Sequence, residues 1–518
     1  MKKYLYLAAL ALVTVPMAAQ ETYENAKIAT EDLNGTARFV GMGGAMDALG
    51  ADISTISTNP AGIGLFRRSY IGVSAGLLSQ EDAETFAGSK KTNISFDQVG
   101  FVWVNPISEN SFVNFSFSYR KSRNFNQVLS VLHDLDGASQ NKATANKHDQ
   151  GLLYEEKVDA SGKVFPDFDA SYSTCSVLDD LYARNLNYNA TDRRWYFYDG
   201  EQYAFDRRHK GYIGEYNFNL SGNSNDKVYW GITVGIHDVN YSHYSEYSEN
   251  LVGGLGGVPQ KYGLTIADDR TITGTGTDVK VGLIFRPIEE SPFRFGVSVA
   301  TPTWYRLTTS CYTTFNDNTN VSDGTNDEYK FKLYTPWKFG LSAGHTFGNN
   351  LALGFGYEFA DYSSMDTRNL RDGYSWDDYD SSESDNEMNR HTEKTLKGVS
   401  TIKAGLEFKP DPTVAVRFGY NYVSPMYEKD GFKDTWVNSM GSYHSSTSDF
   451  TNWEATHRIT CGLGFQLDKW NLAAAYQYSV QNGYFAPFDT DFAFPNVADL
   501  VKVNNKRHQV LLTLGYSF

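Results

Sequence analysis

Five basic residues fall on the polar side of segments in which apolar and polar residues alternate: Arg120, Lys280, Lys338, Lys403 and Arg458. A guanidinium or ammonium group binds a carboxylate through charge-assisted hydrogen bonds. These side chains are therefore candidates for holding the anionic head of a bound molecule. The alternative is the common arrangement in a wet interior, in which they pair with one another or with Glu215, Glu358 and Glu407.

Other chemistry has less support. His237, His345 and His457 stand singly in strand-like segments, and no serine motif accompanies them, so a Ser–His site is not indicated. The ten histidines do not pair at metal-ligand spacing, and the acidic stretch 376–394 lacks the central glycine of a calcium loop. We predict no enzyme, no metal site and no cofactor, and we interpret 376–394 as a solvated loop rather than a cation site.

The chain begins with the layout of a secretory signal. Two lysines precede an apolar run from Tyr4 to Val15, and small residues follow before Gln20. The run is shorter than the ~20 residues of a spanning helix, so we predict a cleaved signal over residues 1–19 rather than a retained anchor. The net charge of -15 argues against a nucleic-acid partner, whose phosphates it would repel.

Alternation with a period of two indicates the fold class. In "KVYWGITVGIH", Trp230, Ile232 and Val234 share one face, and Tyr229 lies on the other. A mean hydropathy of -0.45 with 15% aromatic residues fits a secreted all-β protein or an outer-membrane barrel, whose strands hide a lipid face in alternation. The last strand-like segment ends in Phe518, which resembles the assembly signal of bacterial outer-membrane barrels.

Fourteen segments are predicted as strands, and the connections between them alternate in length. Short ones such as "GNN" and "DK" alternate with longer ones, of which 122–208 is the largest. This asymmetry between two rims is typical of outer-membrane barrels, and a soluble β-sandwich gives no reason for it. We predict an all-β, fourteen-stranded antiparallel transmembrane barrel in the outer membrane of a Gram-negative bacterium. The predicted strands are 68–79, 93–104, 111–121, 209–221, 227–238, 276–287, 293–306, 334–347, 351–363, 398–410, 413–424, 456–467, 470–481 and 506–518.

The segment 20–67 precedes the first strand and is rich in glycine, alanine and serine. Fourteen strands enclose more volume than their own side chains fill, so other material must plug the lumen. Small residues allow close backbone packing, and the Asn59–Pro60 pair favours a turn. We predict that 20–67 is a compact hatch inside the barrel formed by 68–518. The residues expected to seat or gate it are Asn59, Pro60, Ala61, Gly62, Gly43, Gly44 and Phe39.

The stretch "GMGGAMDALGADISTISTNPAGI", with Asn59, Pro60 and Ala61 just before the first strand, resembles the hatch of the FadL family of outer-membrane transporters. Further matches are "YEFADYS", "VRFGYNYVSP", "HRITCGLGF" and the final "HQVLLTLGYSF". The resemblance implies passive uptake of hydrophobic compounds such as long-chain fatty acids, with external capture, an internal pocket beside the hatch and lateral release through the wall. The expected partners are a hydrophobic small molecule, outer-membrane lipid and, during biogenesis, the barrel-assembly machinery.

The long loop carries apolar residues suited to capturing a hydrophobic solute. Both "VLSVLHDLDG" and "CSVLDDLYARNLNY" have the apolar spacing of short amphipathic helices, and "RRWYFYDGEQYAF" is dense in aromatic residues. The alternative is that the loop simply packs into a lid. The residues predicted to line a capture groove are Leu178, Leu181, Trp195, Phe197 and Tyr198.

The competing function is a surface receptor or adhesin that holds haem or a host protein on the long loops without moving cargo. His133, His148, His243 and Tyr247 are available as axial ligands for haem, but their spacing forms no recognisable arrangement. A gated passage needs a compact plug with a rigid turn, whereas a binding barrel does not. The predicted hatch therefore favours transport.

Overall fold

The computed structural model describes residues 21–150, 156–166, 176–253, 260–317, 322–370, 381–434, 436–489 and 496–518. The predicted signal, residues 1–19, lies outside the described residues. None of the helices in the described part of the chain is both long and apolar enough to span a membrane.

The strands in chain order are β1 (Tyr70–Gln80), β2 (Thr92–Ser108), β3 (Ser111–Asn124), β4 (Gln127–Asp134), β5 (Glu156–Val158), β6 (Val164–Pro166), β7 (Tyr188–Asn189), β8 (Arg194–Trp195), β9 (Asp199–Ser224), β10 (Val228–Gly253), β11 (Gln260–Phe285), β12 (Arg294–Ala300), β13 (Trp304–Asp317), β14 (Ser322–Tyr334), β15 (Lys338–Phe347), β16 (Leu351–Asp361), β17 (Asp366–Leu370), β18 (Ser382–Ser384), β19 (Gly398–Asp411), β20 (Val414–Val423), β21 (Phe450–Leu467), β22 (Trp470–Ala486) and β23 (Val501–Ser517). The helices are α1 (Thr22–Ala29), α2 (Ala37–Gly41), α3 (Gln140–Asp149), α4 (Val177–Tyr182), α5 (Asn386–Thr395) and α6 (Met440–Tyr443), with shorter 3-10 turns at Ile53–Ser57, Pro60–Leu65 and Tyr362–Ser364.

Fourteen antiparallel strands close into a barrel: β1–β3, β9–β12, β15, β16 and β19–β23. β23 pairs with β1, so the sheet has no free edge at the point of closure. Each strand overlaps one of the fourteen predicted segments, and the short connections lie at one end, called here the short-turn rim. The opposite end is the long-loop rim. The predicted fold class is confirmed.

The alternation in sequence becomes two faces of the wall. On β10, Ile232, Val234 and Ile236 point outward and are exposed, whereas Tyr229 and Thr233 point inward and are buried. The outward face of β10 then turns polar, with Asp238, Asn240 and Ser242 following Ile236 at every second position. The apolar belt of the barrel therefore ends near Ile236 on this strand.

Strands β9, β10 and β11 have 26 residues each, far more than the ~9–11 that cross a bilayer. Their outer parts, together with β4, β13 and β14, form a sheet that rises beyond the apolar belt at the long-loop rim. The prediction of strands at 209–221, 227–238 and 276–287 covered only the part of each strand inside the belt.

One predicted element is wrong. The residues of "VLSVLHDLDG" form strand β4 rather than a helix, because the extended β9 offers a continuous row of backbone partners, with Val128 opposite Arg208 and Val131 opposite Phe205. The connection between paired strands is therefore shorter than predicted and runs over 135–198. The second predicted helix is present as α4, which starts at a capping box between Ser176 and Asp179.

Candidate functional site

Residues 21–66, called the N-terminal segment, lie within the barrel and touch opposite sides of its wall. α1 lies near the long-loop rim, where the ring of Tyr23 stacks on Tyr427 at 5.1 Å. α2 packs against β20–β23, and the turn Pro60–Leu65 packs against β9–β11. The predicted placement of this segment inside the lumen agrees with these contacts, and its action as a hatch remains a proposal.

Two glycines on neighbouring strands form the first seat for the segment. Gly405 on β19 pairs with Gly419 on β20, and both face the lumen. A Cβ on Gly405 would come within 3.0 Å of the carbonyl oxygen of Met42, and one on Gly419 equally close to the amide nitrogen of Gly43. The absence of side chains at these positions lets two backbones meet directly.

A second seat lies on the opposite wall, where Gly231 on β10 pairs with Gly282 on β11. A Cβ on Gly231 would overlap the backbone of Pro60, and a Cβ on Gly282 would overlap the side-chain oxygen of Asn59. Asn59 also caps the turn that follows it by accepting a hydrogen bond from the Ala61 N–H at 3.2 Å. The predicted rigid turn is thus the part of the segment held between β10 and β11.

The other residues predicted to seat or gate the segment are also buried in it. Gly62 packs against Thr55, Gly44 packs against Leu33 and Phe39, and the carbonyl of Gly43 accepts a hydrogen bond from Asn421 at 3.4 Å. At the junction with β1, Arg67 donates to the carbonyl of Gly64 and forms an ion pair with Asp226.

Buried ion pairs join the segment to the wall. Glu215 on β9 is 0% exposed and binds Arg120 on β3 and Lys280 on β11, both at 2.6 Å. Glu31 of the N-terminal segment binds the same Arg120 at 2.7 Å and also pairs with Lys338 on β15. A single network therefore connects four strands through one residue of the segment.

A second network of ion pairs lies nearer the short-turn rim. Glu407 on β19 accepts hydrogen bonds from Arg38 of the segment at 3.0 Å and from Arg417 on β20 at 2.7 Å. Nearby, Lys403 pairs with Asp47 of the segment at 3.2 Å and with Glu358 at 3.5 Å. Of the five predicted inward cations, Arg120, Lys280, Lys338 and Lys403 are therefore in ion pairs. Arg458 differs, since it donates to the neutral Asn421 at 2.7 Å.

A cavity of about 200 Å³ lies in the lumen between α1 and Phe39. Its wall combines aromatic residues, such as Tyr362 and Trp453, with charged ones. The lining contains more cations than carboxylates. The cations are Lys27, Arg120, Arg123, Lys338, Lys403, Arg458 and Arg507, and the carboxylates are Glu31, Asp32, Glu358 and Glu454.

Only part of this positive charge is neutralised. Asp32 binds Arg123 at 2.9 Å, whereas Arg507 donates to the backbone carbonyl of Asn126 at 2.9 Å. Within the described residues, neither Arg458 nor Arg507 lies within 4.0 Å of a carboxylate. Burial and the nearby Arg207 lower the pKa of Lys27 to about 8. The guanidinium groups of Arg458 and Arg507 therefore carry the positive charge of the lining that no described carboxylate pairs with.

The barrel wall beside the cavity is incomplete. The ladder between β2 and β3 reaches only to the pair Gln98 and Arg120. Beyond it, residues 92–96 of β2 pair with β1, and Lys121, Arg123 and Asn124 of β3 pair with β9. Ile94 on the outer face here is 86% exposed, which places this seam at the level of the apolar belt.

The N-terminal segment fills the seam from inside. The Asp32 N–H donates to the carbonyl of Ser122 at 2.8 Å, and the Asn34 side chain donates to the carbonyl of Lys121 at 3.0 Å and to Asp97 at 2.9 Å. Backbone groups of β3 that lack a partner strand on this side are thus satisfied by the segment.

The predicted capture residues are divided between two environments. Leu178, Leu181 and Tyr198 are buried in one cluster against the raised sheet, as in the alternative of a packed lid. Trp195 stacks on His148 at 4.4 Å, and Phe197 is 45% exposed. A capture role for this loop stays a prediction, and only Trp195 and Phe197 offer surface for it.

Glu249 joins the loop to the raised sheet beyond the apolar belt. Its buried carboxylate accepts hydrogen bonds from the Tyr247 hydroxyl at 2.6 Å, the Tyr182 hydroxyl at 3.2 Å and the Gln140 N–H at 3.2 Å. Helices α3 and α4 therefore meet β10 at this side chain. Burial raises the pKa of Glu249 from 4.5 to about 7.

We expect this contact to weaken as the pH rises. A raised pKa means that the folded state favours the protonated carboxyl, so its contribution is fully present below pH 4.5 and is lost as the pH rises through about 7. The difference is roughly 3 kcal/mol. Amide exchange of residues 140–149 and 177–182 should accelerate between about pH 5 and about pH 8, after correction for intrinsic rates, and Glu249→Gln should abolish the change. An equal pH response in both proteins would contradict the prediction.

The four residues considered for haem are not gathered into one site. His243 contacts Ser245 inside the raised sheet, Tyr247 is engaged with Glu249, and His148 is stacked on Trp195. Among the described residues, no group of three or more His, Cys, Asp or Glu side chains is arranged to hold a metal ion.

The stretch 376–394 differs from the prediction of a solvated loop in its second half. There α5 buries Met388 and Thr392 against α1, where the Thr22 hydroxyl lies 2.8 Å from that of Thr392. Its buried residues Met388, Thr392 and Thr395 recur at helical spacing. This pattern in the sequence could have predicted the helix. Residues 376–380 of this stretch lie outside the described residues.

Comparison with solved structures identifies proteins with a similar fold. The structure is similar to that of a Pseudomonas aeruginosa FadL homologue, with a TM-score of 0.51 and 12% identity over 95% of this chain and 100% of the homologue. It also matches the Ralstonia pickettii toluene transporter TbuX and the P. putida toluene transporter TodX, each with a TM-score of 0.48, 11% identity and coverage of 94% of this chain and 99% of the other. No protein-family model and no curated protein matches the chain. The likeness to the FadL homologue confirms the predicted resemblance at the level of fold.

Proposed function

We propose that the protein is a passive channel of the Gram-negative outer membrane that takes up hydrophobic compounds with an anionic head, such as long-chain fatty acids. The long-loop rim faces the exterior and the short-turn rim faces the periplasm, as in other outer-membrane barrels. Cargo captured near the exterior loops occupies the lumen cavity and leaves sideways into the membrane. The N-terminal segment serves as the hatch that closes this route.

The observation that carries the proposal is the seam between β2 and β3 beside a cavity. A closed barrel wall satisfies all backbone groups between strands, yet here the groups of Lys121 and Ser122 are satisfied by the hatch. The closure is thus made by contacts that can exchange without unfolding a strand. A solute that displaces Asp32 and Asn34 would reach lipid at the level of Ile94.

The chemistry of the cavity supports an anionic head. A neutral hydrocarbon gains nothing from a buried guanidinium, and burying such a charge without a partner is unfavourable. Arg458 and Arg507 are held by neutral acceptors, so a carboxylate can approach them without displacing a buried counter-ion. Apolar lining residues such as Phe39 and Trp453 provide for the chain of the same molecule.

The test is uptake of labelled oleate by cells that express the protein with Arg458→Gln and Arg507→Gln together. We expect oleate uptake to fall about tenfold, because two charge-assisted contacts are lost. Uptake of oleyl alcohol, which has the same chain without the carboxylate, should change little. A matched control removes two exposed positive charges through Lys330→Gln and Lys429→Gln and should leave both uptakes unchanged.

Two results would contradict the proposal in different ways. Equal losses for oleate and oleyl alcohol would show that the arginines do not recognise a head group. No uptake of either compound by the unmodified barrel, once its insertion has been verified, would remove hydrophobic transport as the function and favour the receptor alternative.

A further inference from the structure

A groove at the long-loop rim is rich in positive charge, although the protein as a whole is acidic, and it shares Gln127, His209 and Arg507 with the lumen cavity. It is lined by Lys90 and Lys91 of the β1–β2 connection and by Lys210 on β9, with Arg507 at its base. No carboxylate is among the lining residues, and the rest of the lining consists of Leu78, Gln80, Ser89, Asn93, Asn126, Gln127, Val128 and His209. In a chain with a net charge of -15, this is a local concentration of positive charge.

The lysines of the groove are not paired with carboxylates. Lys210 donates to the backbone carbonyl of Gly88 at 3.0 Å, and Lys90 and Lys91 are exposed. In the part of the chain that the structure describes, none of the three lysines lies within 4.0 Å of a carboxylate. The fourth cation, Arg507, belongs to the lumen side of the wall.

Two of the three acidic residues of the same connection form contacts elsewhere. Asp82 pairs with Lys506 at 3.8 Å, and Glu81 lies 3.7 Å from His508, both on β23. The third, Glu84, is exposed and is not among the residues that line the groove. The positive charge of the lysines is therefore only partly offset by their neighbours in sequence.

The height of the groove matches the head groups of the outer leaflet. Lys91 lies three residues beyond the lipid-facing Ile94, which is about 10 Å along a strand. In the same connection, Phe86 packs on Tyr244 at 5.7 Å, and Arg208 lies over the same Tyr244 ring at 5.5 Å.

We propose that this groove binds the phosphate of an outer-leaflet glycolipid through Lys90, Lys91 and Lys210. A phosphate offers several acceptor oxygens and up to two negative charges, which three convergent ammonium groups match. The inference rests on the outer-membrane placement proposed above and is independent of the cargo. It assigns a lipid-binding role to a connection that lies outside the cavity.

The test measures binding of bisphosphorylated lipid A to the full-length protein in detergent by native mass spectrometry. The variant is Lys90→Gln, Lys91→Gln and Lys210→Gln together, and the matched control removes three charges elsewhere through Lys163→Gln, Lys330→Gln and Lys429→Gln. We expect the variant to bind about 100-fold more weakly, because each basic residue near an anionic lipid surface contributes appreciably. The control should retain its affinity, and dephosphorylated lipid A should bind the unmodified protein as weakly as the variant binds lipid A.

Three results would overturn the proposal: equal affinity in variant and control, equal affinity for dephosphorylated lipid A, or competition by inorganic phosphate or oleate at concentrations similar to those of lipid A. If the triple variant fails to fold, Lys90→Gln with Lys91→Gln tests the same site, since both side chains are exposed. Oleate uptake by the same cells reports separately on the proposed transport, so loss of lipid A binding and loss of uptake are distinguishable.

Discussion

Gly405→Val is expected to turn a closed barrel into an ion-conducting pore, whereas Ala404→Val on the same strand is expected to leave it closed. The new side chain would occupy the space of the Met42 carbonyl, which is backbone and cannot move alone. The neighbouring Gly43 is held against Gly419 in the same way, so the whole first seat is lost. Displacing the N-terminal segment exposes the lumen of a fourteen-stranded barrel, which is wide enough for hydrated ions.

The measurement is single-channel conductance in planar bilayers, with an expected rise of about tenfold or more over the unmodified protein. Ala404 faces lipid, so Ala404→Val adds a similar volume at the next position without touching the segment. Both variants must first show the heat-dependent mobility shift of a folded barrel. Equal conductance in a folded Gly405→Val protein and in the control would show that the seat does not hold the segment in place.

Glu215→Gln is expected to destabilise the barrel by about 3–5 kcal/mol, because removing one partner leaves buried charges uncompensated. Glu215 is 0% exposed and binds both Arg120 and Lys280 at 2.6 Å. The amide keeps the shape of the side chain, so the loss reports on charge rather than on a cavity. Only two carboxylates, Glu31 and Asp278, would then remain for the three cations Arg120, Lys280 and Lys338, so the buried network would carry an excess positive charge.

The temperature at which the folded electrophoretic form disappears measures this effect. Glu109→Gln, an exposed carboxylate in the turn between β2 and β3, is the matched control and should unfold with the unmodified protein. Coincident unfolding of Glu215→Gln and Glu109→Gln would mean that water or neighbouring groups already neutralise the network.

The polarity of a strand inside the bilayer is a local property, which is why fourteen strands could be predicted. Ile232, Val234 and Ile236 meet lipid whatever the rest of the chain does, and their alternation is visible in sequence. Above the belt the contrast reverses, because Asn240 and Ser242 face water while Tyr241 faces the packed interior. The outer halves of β9, β10 and β11 were therefore missed.

The same limit explains the error at β4. A segment with Val128 and Val131 pairs as a strand only because β9 extends beside it, and that extension is not encoded locally. For α5, burial depends on a partner, since Thr392 is covered by α1 from the other end of the chain. The pattern of residues within a segment does not show which distant segment packs against it.

The sequence by itself determined the barrel, its strand number, the sorting of its loops, the inward direction of Arg120, Lys280, Lys338, Lys403 and Arg458, and an N-terminal segment built for close packing. These features follow from periodicity and residue size. Only the tertiary structure decided which inward cations are neutralised, where the wall is open and which glycines meet the segment. Those outcomes depend on the register between strands, such as Gly405 beside Gly419, and register arises when the sheet closes.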